Sequence, residues 1–144
     1  MSEQKTIPTL FWAVAGLFLL WNAFGCYMYV MEMTMSDEAY AEGFGEAMLA
    51  LRPTIPTWVT GTFAIAVWVG LLGAIMFLMR KKVAFPLFVL SLLSAIVSFS
   101  YVFMNSEVQE ASKMPFWVMP VIVIGMGIVE VIVSKRKIAK GILT

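Results

Sequence analysis

Residues 57–82 read TWVTGTFAIAVWVGLLGAIMFLM followed by RKK, a run of 23 residues without a charge closed by three consecutive cations. Two physical facts decide what such a stretch does. A hydrocarbon core of ~30 Å is crossed by about 20 helical residues at a rise of ~1.5 Å each. In hydrocarbon there is no water for the backbone to bond, so a lone apolar segment satisfies its own N–H and C=O groups only as a helix. The run is too uniformly apolar for a barrel strand, which alternates. Residues 57–79 are therefore predicted to form a transmembrane helix that stops at Arg80, Lys81 and Lys82.

Working outward, three more runs are uncharged or nearly so: residues 10–31, 83–104 and 115–134, of 22, 22 and 20 residues, the last holding Glu130. The composition agrees, with 61% apolar residues, 13% charged residues and a mean hydropathy of +0.89 over 144 residues. A water-soluble domain of this size has no means of hiding so much apolar surface. The predicted fold class is all-α, an integral membrane four-helix bundle of two hairpins forming a single domain over residues 1–144. Residues 32–56 and 105–114 would be the outer loops. Residues 80–82 would be the turn on the opposite side and 135–144 the tail. The first run is longer than the apolar core of a signal peptide, and no A-x-A-like site follows it, so it is expected to stay in the mature protein.

Orientation follows from the cations. Arg80, Lys81 and Lys82 fill one turn, and Lys135, Arg136, Lys137 and Lys140 follow the fourth run, whereas the other two connections hold only Arg52 and Lys113. By the positive-inside rule both termini and the 80–82 turn are cytoplasmic. Glu32, Asp37, Glu38, Glu42, Glu46, Glu107 and Glu110 then make an acidic outer face. Trp12, Trp58 and Trp117 open three of the runs and read as interfacial anchors. Each half of the chain is a span, an acidic connection, a Pro-x-Trp lead-in, a second span and a basic run. Any hairpin with this orientation needs such anchors, so the doubling is explained without internal homology.

The outer connection of residues 32–56 is too long for a tight turn. Ser36 before Asp37 and Glu38 is a helix start, since the hydroxyl caps and the acids suit the dipole. Gly43 and Gly45 should interrupt this helix, and a second short one is expected from Glu46 to Arg52, with Met48, Leu49 and Leu51 facing the membrane. Together they would lie as an amphipathic cap on the bundle's outer end.

The inventory excludes much chemistry. There is no histidine and one cysteine, Cys26. His-ligated haem, the usual zinc sites, a CxxC pair, an iron–sulfur site and an intramolecular disulfide are all removed. No metal and no cofactor is expected. No nucleophile–base pair is visible without histidine, so the chain is not expected to be an enzyme. A net charge of +1 gives no reason to expect a nucleic-acid partner.

The polar residues inside the spans are the candidate site. Asn22 lies near the middle of the first, where its amide must find a partner away from water. Cys26 and Tyr29 follow at i+4 and i+7 on the same helical face. Ser91, Ser94, Ser98 and Tyr101 form a small, polar stripe on the third. Close helix packing, with each hydroxyl bonded to its own helix's carbonyl four residues back, explains that stripe more simply than a hydrated path. Glu130 is the one acid well inside a span; pairing with a basic residue such as Lys135 is favoured over proton coupling. Pro120, inside the fourth run, is expected to free the Phe116 carbonyl and kink the helix.

With these motifs placed, the chain resembles a family of small bacterial four-helix inner-membrane proteins, many labelled sugar transporters and without an assigned activity. The resemblance rests on Leu20-Trp21-Asn22 with Gly25, on Ile55-Pro56-Thr57-Trp58-Val59-Thr60 with Phe63-Ala64-Ile65-Ala66-Val67, and on Arg80-Lys81-Lys82-Val83-Ala84-Phe85-Pro86-Leu87 through Ser91-Leu92-Leu93. It implies a bacterial inner membrane and brings no binding residues to carry over. The expected function is that of a non-catalytic accessory, scaffold or interaction subunit of a membrane assembly. The alternative is a small-molecule transporter or binder, working as an oligomer, with Asn22, Tyr29 and the serines at its site and Glu130 as a coupling acid. The partners expected are the lipid bilayer and either further copies of the chain or a larger complex.

Overall fold

A computed structural model of the chain describes residues 7–144. Among them there are helices and turns but no strand. Helices α1 (Thr9–Thr34), α4 (Thr57–Leu78), α5 (Ala84–Met104) and α7 (Val118–Ala139) are each long and apolar enough to cross a membrane. Three short helices, α2 (Asp37–Phe44), α3 (Glu46–Leu51) and α6 (Ser106–Ala111), lie in the two acidic connections. The fold is thus an all-α membrane bundle. Its apolar residues point outward as well as inward: Leu20 is 71% and Met104 73% exposed, a surface suited only to lipid. The N-terminal residues 1–6, on which part of the expectation about the termini falls, lie outside the described residues.

The long helices pack in the order α1, α4, α5, α7, with the α4–α5 hairpin at the centre. Small residues set this hairpin's spacing. A Cβ on Gly73 would come within 3.0 Å of the Phe88 ring, so the bare backbone is what lets that ring seat. Ser91 and Ser98, two turns apart on α5, donate to the Ala66 carbonyl (2.6 Å) and the Val59 carbonyl (2.9 Å), two turns apart on α4. The serines therefore bond across to the neighbouring helix, not back to their own. A carbonyl oxygen has a second lone pair beyond its intrahelical bond, and that of Val59 is shared with Thr62 Oγ1 at 3.1 Å.

At the basic end of the bundle Phe11, Phe18, Phe77 and Phe88 form an aromatic cluster with Ala15, Ala74 and Ala84. Phe11 stacks on Phe77 at 4.9 Å, and Phe18 meets Phe88 edge-on at 5.9 Å. The tail joins this core. Helix α7 runs past its basic residues to Ala139, the chain reverses at Gly141 (φ 72°), and Ile142 and Leu143 fold inward to 5% and 2% exposure. Ile142 N donates to Lys137 O and Gly141 N to Ile138 O, the paired bonds of a Schellman cap. Helix α4 ends in the same way: Lys81 N donates to Met76 O, Arg80 N to Phe77 O, and Arg80 itself takes φ 60°. The two caps are tied together, because Arg80 Nε donates to Ile142 O at 3.1 Å and Thr144 N to Arg80 O at 2.9 Å.

Two expectations about the fourth span are corrected. Helix α7 starts at Val118 after a turn at residues 115–117, not at residue 115. Pro120 therefore falls in its first turn, where an N–H has no intrahelical acceptor, and causes no break.

At the acidic end Ser36 caps α2 by accepting from Ala39 N at 3.2 Å. Helix α2 continues through Gly43, and the break falls on Gly45 alone (φ 100°), against which the Lys113 side chain lies. Arg52 fastens this cap to α1: its guanidinium donates to the Glu32 carbonyl (2.9 Å), the Met35 carbonyl (3.3 Å) and the Asp37 carboxylate (3.3 Å). A cation over the last carbonyls of a helix suits the dipole there. The same group sits 4.4 Å from the centre of the Tyr40 ring.

Candidate functional site

Helices α1 and α7, at the two ends of the packing order, do not pack against each other along their lengths. The space they leave is a cavity of about 560 Å³. Its walls are one stripe from each long helix: Asn22, Gly25, Met28 and Glu32 of α1, Val59, Phe63 and Ala66 of α4, Ser91, Ala95, Ser98 and Phe99 of α5, and Met119, Val123, Gly127 and Glu130 of α7. Tyr40, Phe44, Met48 and Arg52 roof it at the acidic end. Met48, expected to face lipid, instead turns inward over this space. Burial under the roof and the neighbouring Glu32 carboxyl push the Tyr40 hydroxyl above its usual range, against the opposing pull of the Arg52 guanidinium.

The floor is polar. Asn22 Nδ2 donates to Glu130 Oε2 at 2.6 Å and to the Phe18 carbonyl at 2.8 Å, so both amide hydrogens are used. Asn22 is 7% and Glu130 4% exposed. Asn22 is held in place by the absence of a side chain opposite. A Cβ on Gly70 of α4 would run into Asn22 Oδ1 and come within 2.9 Å of Ser91 Oγ. Ser134 Oγ donates to the Glu130 carbonyl, one turn toward the basic end. This pair is the bridge between α1 and α7 at mid-bundle, as the aromatic cluster and the tail are the closure below it.

The expected pairing of Glu130 with a basic residue is corrected. Among the described residues the one ion pair is Arg52–Asp37, at the other end of the molecule. The reason is helical geometry: five residues turn about 140° around α7, so Lys135 points away from the face that carries Glu130.

The sequence-derived candidates divide between the cavity and the packing seams. Asn22, Ser91, Ser98, Tyr101 and Glu130 line the cavity. Tyr29 does not; it packs on α4 against Phe63 (6.0 Å) and Trp68 (6.5 Å). Cys26 likewise turns to α4 and donates to the Val67 carbonyl at 3.1 Å. The i, i+4, i+7 face of Asn22 is thus the α4-facing seam, and the cavity lies on the adjoining face of Gly25, Met28 and Glu32. Ser94 is buried away from the cavity. Sequence reasoning missed Arg52 and Tyr40 as parts of the site; the signal was the single cation in a strongly acidic connection.

No group of three or more metal-binding side chains occurs among the described residues. The polar floor and apolar walls suit noncovalent capture of a molecule that brings its own charge or donors.

No curated protein and no solved structure matches the chain. A family model described as PUCC protein matches residues 9–138, from the first residue of α1 through almost the whole of α7, and so takes in all four long helices and the cavity between them. A small multi-pass membrane protein, the chain belongs to the PUCC protein family.

Proposed function

We propose that the protein is a membrane-embedded binder or carrier of a small molecule, without catalytic activity of its own, and that the cavity between α1 and α7 is its ligand site. One observation carries this reading. A space of about 560 Å³, apolar along its walls, ends on a buried acid–amide pair at mid-bundle. A volume of roughly 300–1,000 Å³ with a few convergent polar groups is the usual character of a small-molecule site. Ionisable groups inside a membrane mark ligand or ion paths more often than they serve packing. In the orientation favoured by the positive-inside rule, both termini lie in the cytoplasm of a bacterial cell and the roof of α2 and α3 faces outward across the inner membrane.

Val123 stands two turns from Glu130 on the same face of α7 and lines the cavity. Val123→Trp puts an indole into the space and narrows it two turns away from the Asn22–Glu130 bridge. Small molecules extracted from the purified protein and from this variant, and compared by mass spectrometry, should differ by a compound present only with the unblocked cavity. Identical extracts would count against the ligand site.

A second reading is favoured by α7, which packs along its length on α5 alone. Its outward face suits contact with a further membrane helix, as in an accessory or scaffold subunit or a homo-oligomer. Affinity purification in mild detergent should then recover a partner, and recovery of the protein alone in several detergents would oppose it.

A further inference from the structure

We infer that the occupant of the cavity is a lipophilic organic cation, its charge seated against the Glu130 carboxyl and its apolar body along the walls of α1 and α7. This rests on the reading of the cavity as a ligand site.

The charge balance of the cavity favours a cation. Glu130 is 4% exposed and lines the cavity, yet no cationic side chain among the described residues forms an ion pair with it. Asn22 supplies one N–H to Oε2, and Oε1 makes no hydrogen bond among the described residues. Among the described residues Arg52 is the one cation that lines the cavity, and it is committed at the roof to Asp37 and the end of α1. Ten residues of α1 separate Asn22 from Glu32 beside that arginine, or ~15 Å. A carboxyl group in so apolar a place is costly, and an apolar residue would fill it more cheaply. A monocation entering from the cavity would meet the edge of the carboxyl that Asn22 leaves open.

The groups at the floor and along the walls also select among cations. One carboxylate, one amide whose Oδ1 lies against Gly70, and the Ser91 hydroxyl already given to Ala66 offer fewer oxygens than a metal ion that takes six or more oxygen ligands needs. Met28, Phe63, Phe99 and Met119 line the route to the floor. Aromatic faces and thioethers suit a soft, weakly hydrated organic cation.

The test uses the full-length chain in nonionic detergent and two probes of the same shape and opposite charge, tetraphenylphosphonium and tetraphenylborate. Equilibrium dialysis with each radiolabelled probe in separate samples should show no saturable binding of tetraphenylborate and saturable binding of one tetraphenylphosphonium per chain. Glu130→Gln should weaken it at least tenfold, whereas Glu130→Asp, which keeps the charge, should stay within a few fold. Val123→Trp should abolish it. No saturable cation binding, or equal binding by wild type and Glu130→Gln, overturns the inference. If the two probes, dialysed separately, bind equally and Val123→Trp weakens both, only the charge preference fails and the ligand site stands. If Val123→Trp binds like wild type, the ligand site fails as well.

Discussion

Asn22 sits where two faces of α1 meet, one packed on α4 and one open to the cavity, and its amide spans both. Its Oδ1 lies against Gly70 and its Nδ2 reaches Glu130. Two consequences follow at this scale. Gly70→Ala puts a methyl group into the Asn22 oxygen, so the amide must swing away and lose Glu130; a destabilisation of about 1–3 kcal/mol is expected, measured by thermal unfolding in detergent. The pair itself is open to a double-mutant cycle. Asn22→Leu strands a buried carboxyl and is expected to cost about 1–3 kcal/mol. Glu130→Leu leaves one buried Asn22 N–H without its acceptor and is expected to cost about 1–3 kcal/mol as well, and the double variant, which removes both groups, less than the sum of the two. The coupling should fall near 0.5–2 kcal/mol, and additive effects would mean that the two side chains do not meet.

Among the elements, the ends of α4 and α7 are built alike, but one uses glycine at the reversal and the other Arg80 at φ 60°. A left-handed conformation costs a residue with a Cβ ~1 kcal/mol that glycine avoids. Arg80→Ala and Arg80→Gly both lose the bond to the Ile142 carbonyl, so Arg80→Ala should be the less stable by about 1 kcal/mol in chemical denaturation. Equal stabilities would place the turn elsewhere. The elements were also what the sequence showed best. Uncharged runs revealed the four long helices because hydrocarbon leaves the backbone no alternative, and Ser36-Asp37-Glu38 showed where α2 starts. What lay hidden depended on neighbours. The serine stripe was visible, but not that Ser91 and Ser98 reach across to α4, because both arrangements use the same spacing. The tail read only as a basic cytoplasmic end; Gly141 followed by two apolar residues was the overlooked sign of a cap with a buried hydrophobic contact. Pro120 read as a kink because the start of α7 was placed three residues early.

On the scale of the whole molecule the bundle is closed at its basic end and open along one side above it. The aromatic cluster and the folded-back tail hold the four helices together below, α4 and α5 hold the middle, and α1 and α7 diverge above the Asn22–Glu130 bridge. None of this could be read from residue order, because a cavity depends on which helices are not neighbours. The candidate residues were visible singly, and their meeting required the fold. The most direct test is a solid-state NMR distance in lipid bilayers between side-chain ¹⁵N of asparagine and carboxyl ¹³C of glutamate, with Asn22→Leu as the assignment control. The expected result is strong dephasing from the direct Asn22–Glu130 hydrogen bond of 2.6 Å, absent in the variant. Dephasing of the Glu130 carboxyl by a lysine nitrogen, or none from Asn22, would contradict the account.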